Sequence, residues 1–114
     1  MSDYTISGNN LTLLKLASSL TTSVEMLAKL ATYKNWAIKW RVALNPNTPT
    51  SALDLLAKNN YRDGSIKINI AKNPNAPPSV LIKLIQDREE LIREAAFNNP
   101  NLPVEYKMLY WIEK

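Results

Sequence analysis

Few residues in this chain have side chains able to do chemistry, and most of those are cations. Lys39, Lys67 and Arg93 stand 28 and 26 residues apart. If the segments that hold them are equivalent, three positive charges fall in one stripe able to contact phosphates, extended by Lys34, Arg41, Arg62 and Lys72. The structural alternative, which is favoured, has each cation bonding the carbonyl end of a neighbouring helix or staying solvated. Trp36 and Trp40, four apart and flanked by Lys39 and Arg41, are the second feature. Tryptophan beside arginine suits an interaction hot spot or a base-stacking platform; against this stands core filling by at least one of the rings. The matching positions further along hold Gly64 with Ile68 and Glu90 with Glu94, so the tryptophans belong to one place in the molecule. The candidate partner-binding residues are Trp36, Trp40, Lys39, Arg41, Lys67 and Arg93.

The chain has no histidine and no cysteine. It therefore lacks the commonest general base, the most reactive nucleophile and the usual zinc ligands together. Glu89 and Glu90 project to different helix faces, and with Glu94, Arg88 and Arg93 they read as a solvated surface rather than an acid–base pair. Two glycines in the whole chain cannot build a phosphate-cradling loop. The expectation is a non-enzymatic protein with no catalytic, cofactor-binding or metal-ligating residues.

The elements that must position these side chains are marked by a recurring phrase. Asn45-Pro46-Asn47, Asn73-Pro74-Asn75 and Asn99-Pro100-Asn101 are each followed two residues later by a further proline, Pro49, Pro77 or Pro103. A near-constant period of this length is the signature of stacked repeats. Around the phrase, Ile38, Ile66 and Ile92 share one position, Val42, Ile70 and Ala96 another, and Leu53 with Leu81, then Leu56 with Leu84, two more. The third copy drifts to Lys107 and Tyr110, as a terminal repeat does. A worn fourth copy lies upstream, with Leu16-Ala17, Thr22 to Glu25, Leu27, Leu30 and Ala31 in matching places.

Each copy predicts a helix pair. Ile38 with Val42, Ile66 with Ile70 and Ile92 with Ala96 make one stripe of a short helix, which must end before the proline. The second asparagine is expected to favour the turn through its own side chain. Thr48 is expected to cap the next helix, with Pro49 at its first position and Pro77 and Pro103 in the same place. Second helices are expected over 49–59, 77–86 and 103–112. Upstream, Leu11 to Leu20 form a short apolar helix, and Thr22-x-x-Glu25 reads as a capping box opening a helix to about Tyr33, with Met26, Leu27 and Leu30 inward. Asp63-Gly64 reads as the turn that absorbs the two extra residues of the longer spacing. Tyr33 and Tyr61 correspond and read as packing residues. Helices this short bury nothing alone, so each pair needs its neighbour.

The stretch Ile38 to Leu56, Ile-Lys-x-x-Val-Ala-x-Asn-Pro-Asn-Thr-Pro-x-x-x-Leu-x-x-Leu with x at the remaining positions, resembles the leucine-rich repeat variant family. The resemblance covers roughly residues 35–104 and extends in degraded form towards residue 12. It implies an all-α fold, a right-handed superhelical solenoid of alternating α- and short 3₁₀-type helices, here three repeats plus a degenerate N-terminal one. Some members of that family carry an iron–sulfur centre on an N-terminal cysteine cluster; without cysteine that module is not carried over, and no cofactor is expected.

Residues 1–10 read as a flexible leader and 11–114 as one helical-repeat domain. The net charge of +4 is unevenly spread: from Lys15 to Lys83 the balance is +7, and from Leu84 onward it is −2. No apolar run is long enough to span a membrane, and the polar start shows no signal-peptide pattern, so a cytoplasmic location is expected. The run Tyr106, Met108, Leu109, Tyr110, Trp111 and Ile112 is either a final helix covering the open end or an exposed end through which two copies meet as a homodimer. The leading functional expectation is a module binding a protein partner; the alternative is nucleic-acid binding through the basic face.

Overall fold

The computed structural model describes residues 7–59 and 64–113, with side chains for 10–59 and 64–110. Among them are eight helices and no strand: α1 Ser7–Ser18, α2 Val24–Leu30, α3 Trp36–Leu44, α4 Thr50–Ala57, α5 Ser65–Lys72, α6 Pro78–Leu84, α7 Glu90–Phe97 and α8 Val104–Glu113. The all-helical class is as expected. No helix among the described residues is long and apolar enough to cross a membrane. Principal extents are 50 × 27 × 17 Å.

Helices of this length owe their stability to packing rather than to propensity. The odd-numbered ones pack in series, α1 on α3, α3 on α5 and α5 on α7, and the even-numbered ones lie beside them. Ile38, Ile66 and Ile92 all sit in one continuous core with Leu53, Leu56, Leu81 and Leu84. Each such side chain contributes about 1.5–3 kcal/mol by leaving water.

The phrase Asn-Pro-Asn does more than end helices. Asn45, Asn73 and Asn99 are buried, and each uses its whole side chain. The carboxamide nitrogen of Asn45 donates to the carbonyls of Ala17 and Ser19 at 2.9 Å. That of Asn73 donates to Ala43 at 2.8 Å and Asn45 at 2.9 Å. That of Asn99 donates to Ala71 at 2.8 Å and Asn73 at 2.9 Å. On the other side each Oδ1 accepts the N–H two residues on, from Asn47, Asn75 and Asn101 at 2.9 Å. The second asparagines also reach backwards, Asn47 to the Leu20 carbonyl, Asn75 to those of Pro46 and Thr48, and Asn101 to those of Pro74 and Ala76. The turn is thus held by the first asparagine, not the second as expected. A turn alone needs only an acceptor, whereas a buried carbonyl pair from the preceding copy needs a donor as well.

Helix starts differ from expectation for a related reason. Pro49 and Pro77 are the N-caps of α4 and α6, one residue before the first helical position, and Pro78 takes that position in α6. Their carbonyls open the ladders, accepting from Ala52 and Leu53, and from Val80 and Leu81. Thr48 does not cap α4; fully buried, its hydroxyl donates to the Val42 carbonyl at 2.6 Å. Thr22 does the same for Leu16, so the expected capping box is not formed, and Ser23 caps α2 by accepting from the Met26 N–H at 3.1 Å. Met26 is exposed, while Leu27 and Leu30 are buried as expected. The worn copy keeps the turn in miniature: Ser19 stands in the place of Asn45 and its hydroxyl accepts the Thr21 N–H at 3.1 Å.

Of the stretch 1–10 expected as a leader, Ser7 to Asn10 belong to α1; residues 1–6 lie outside the described residues. So do Tyr61, Arg62 and Asp63, and the side chains of Trp111 and Ile112. Gly64 has an ordinary backbone, φ −88° and ψ 6°, so no turn conformation demands glycine there. A Cβ would stand 2.8 Å from Ile92 Cδ1 and 2.9 Å from Glu89 Oε1, two side-chain ends that would have to move.

Candidate functional site

The three cations of the ladder end on different partners. Lys39 Nζ donates to the Ala31 carbonyl just past α2 at 3.0 Å, and burial holds its ammonium below the ordinary lysine value. Arg93 donates to the carbonyls of Asp87 and Arg88, between α6 and α7, at 2.8 and 3.0 Å. Lys39 thus meets the carbonyl end of the helix before its own, and Arg93 fastens the connection that leads into its own helix. Lys67 instead pairs with Asp87 at 3.2 Å, both side chains being largely covered. Burial pushes the Asp87 carboxyl up, but the Glu89 N–H, the Lys67 ammonium and the Arg88 N–H outweigh it and leave the group below the usual carboxylate range. Each ladder cation therefore spends its charge inside the molecule.

Arg41 and Asn69 occupy matching positions and tie successive odd helices together. Asn69 Nδ2 donates to the Trp40 carbonyl at 3.2 Å. Arg41 reaches the equivalent Leu14 carbonyl through a relay, donating to Ser18 Oγ at 2.8 Å while that hydroxyl donates to Leu14 at 2.9 Å. The rest of the guanidinium stays exposed.

Trp36 and Trp40 sit on one side of α3 because four residues make slightly more than one helical turn. Their ring centroids are 6.4 Å apart with planes 30° from parallel. Trp40 packs against the core, whereas Trp36 is 48% exposed and Leu44, a further turn along, 50% exposed. Leu14 on α1 and Ile68 on α5 hold the position of Trp40 and are partly buried against the same core. The arrangement is an apolar ridge, Trp36–Trp40–Leu44, with Arg41 beside it. Leu44 went unnoticed in the sequence; its spacing of four from Trp40 was the available signal.

A second feature lies where α7, α8 and the α6–α7 connection meet, a cavity of 610 Å³ lined by Ile85, Asp87, Glu90, Tyr106, Leu109 and Tyr110 among others. Met108 and Leu109 of α8 are exposed, as is Val104. Among the described residues no group of three or more His, Cys, Asp or Glu side chains is placed to hold a metal ion. No protein-family model matches the chain, and no curated protein or solved structure matches it.

Proposed function

We propose that the chain is a non-enzymatic, cytoplasmic binding module built as a right-handed solenoid like that of the leucine-rich repeat variant family, and that it grips a protein partner along α3. The single observation that carries this reading is the half-exposed Trp36 stacked on a core-anchored Trp40 and continued by Leu44. An aromatic anchored at its base and open at its tip pays little conformational entropy on docking. The asparagine ladder supports the solenoid, since identical bonds recur from each copy of the phrase to the one before it. The chemistry of the partner follows from the surroundings: an apolar segment edged with carboxylates, because the stretch around α3 carries a strong positive balance.

The nucleic-acid reading is weaker on two grounds. Lys39, Lys67 and Arg93 are engaged internally, and the ridge ends in aliphatic Leu44, which offers no face for base stacking.

Selecting binders from a displayed random-peptide library tests the reading. Enriched peptides should combine Leu, Ile or Phe with Asp or Glu, and should lose affinity for Trp36→Ala and for Leu44→Ser proteins whose melting temperatures are unchanged. Oligonucleotides titrated in low salt serve as the rival ligand. Salt-sensitive oligonucleotide binding without peptide enrichment would reverse the choice.

A further inference from the structure

Resting on that reading of α3, we propose that its partner is a second copy of this chain, Trp36 of each copy seating in the α7–α8 cavity of the other. The cavity has the chemistry an indole needs. Ile85, Leu109 and the Tyr106 ring offer apolar walls, and Glu90 offers an acceptor. The Asp87 oxygens are already taken by the Glu89 N–H and the Lys67 ammonium. Glu90 is exposed, and its carboxylate has no partner among the described residues. An indole N–H is a donor only, so a carboxylate at the pocket mouth is its natural complement. At 610 Å³ the half-open space is large enough for an indole ring.

Charge points the same way. Trp36 stands in the stretch of +7 balance and the cavity in the stretch of −2, so copies attract when the front of one meets the end of the other. Position allows the contact to be made twice. Trp36 and Glu90 are the first residues of α3 and α7, and the ladder ties the C-terminal ends of the odd helices together, which gathers their N-terminal ends along one edge. With Trp36 and Glu90 on one edge, a two-fold axis between them satisfies both contacts and closes the pair.

At the cavity end one of the two ladder carbonyls is already taken. The Phe97 carbonyl corresponds to those of Ala43 and Ala71, which accept from the next asparagine. Here Lys107 Nζ takes it at 2.8 Å. A second copy that prolonged the ladder would have to displace this bond, whereas docking in the cavity leaves it in place.

Sedimentation velocity on the intact chain, from about 1 to about 300 µM in low salt, reads the association directly. The expected result is a monomer–dimer equilibrium that weakens as salt rises, with tryptophan emission moving to shorter wavelength as the dimer forms. Trp36→Ala and Glu90→Lys should each weaken it about tenfold or more while leaving the unfolding midpoint of the monomer, read at about 1 µM, in place, since both residues are exposed. An equimolar mixture of the two variants should associate more strongly than either alone, because one intact Trp36–cavity contact is restored. A monomer at every concentration, or a dimer indifferent to both substitutions, overturns the proposal. If the monomeric protein still selects apolar, acidic peptides through Trp36, only the second copy is discarded and α3 remains a docking ridge; if it selects none, both ideas go.

Discussion

The side-chain amide of Asn73 donates to the main-chain carbonyl of Asn45 at 2.9 Å, and that of Asn99 repeats the bond to Asn73 at 2.9 Å. Asn73 thereby serves as donor to one turn and as acceptor for the next. The same two carbonyls also accept the N–H of Thr48 and of Ala76, whereas the Ala43 and Ala71 carbonyls rely on the asparagine side chains, and a buried carbonyl left with no donor costs about 1–3 kcal/mol.

Replacing Asn73 tests this in two parts. Asn73→Ala deprives the Ala43 carbonyl of its donor, takes from the Asn45 carbonyl one of its two, the Thr48 N–H remaining, and removes the acceptor for the Asn75 N–H, so the protein should lose about 2–3 kcal/mol in urea unfolding. Asn73→Ser should keep the turn, as Ser19 does upstream, and recover only a minor share of the loss. Equal stabilities for the two variants and the parent would mean the ladder is not structural.

Gly64 and Ile92 are coupled by space. A methyl group at 64 would meet Ile92 Cδ1 at 2.8 Å, so the end of that buried side chain must shift and Gly64→Ala should destabilise by about 1 kcal/mol. Ile92→Val deletes that carbon. The double variant should be more stable than the sum of the single changes predicts, a positive coupling measurable in a double-mutant cycle.

Asp87 sets an acid limb. Its folded-state pKa lies below the unfolded value of about 3.9, so the unfolded chain binds the proton more readily. The stabilisation is complete above the unfolded pKa and fades as pH falls through the folded one. Thermal melts should be flat in this respect from pH 7 to about 5 and fall below about 4. In Asp87→Asn that part of the acid loss should vanish; an unchanged acid limb would assign it to other carboxylates.

Lys107 closes the ladder at its last step. Its ammonium donates to the Phe97 carbonyl and lies 5.2 Å from the centre of the Phe97 ring, and that ring meets Tyr110 at 4.8 Å. Lys107→Met should keep the apolar stem but lose the bond, for about 1 kcal/mol. Amide hydrogen exchange should then quicken in α8 more than in α3 or α5.

Local signals in the sequence were enough to place the helices. Proline after Asn45, Asn73 and Asn99 stops a helix whatever surrounds it, and the four-residue spacing of Ile38 with Val42 or Ile66 with Ile70 marks a buried stripe before any fold is known. The core positions were therefore readable, because burial of apolar stripes follows from period alone. What the polar side chains do was not, since a hydrogen bond needs a partner brought close by the fold. Thr48 looked like a helix cap because caps are local, yet its hydroxyl lies against Val42 after the chain has turned. Lys67 looked like its counterparts Lys39 and Arg93, and only the packing of α5 beside the α6–α7 connection delivered it to Asp87. The asparagines carried one overlooked hint: the phrase uses Asn at its first position three times and never Asp, a choice indifferent for a turn but decisive where a donor must reach two buried carbonyls. Which of two neighbouring tryptophans fills the core and which stays open was likewise decided by the tertiary structure, because α3 has a core side only once α1 and α5 are packed against it.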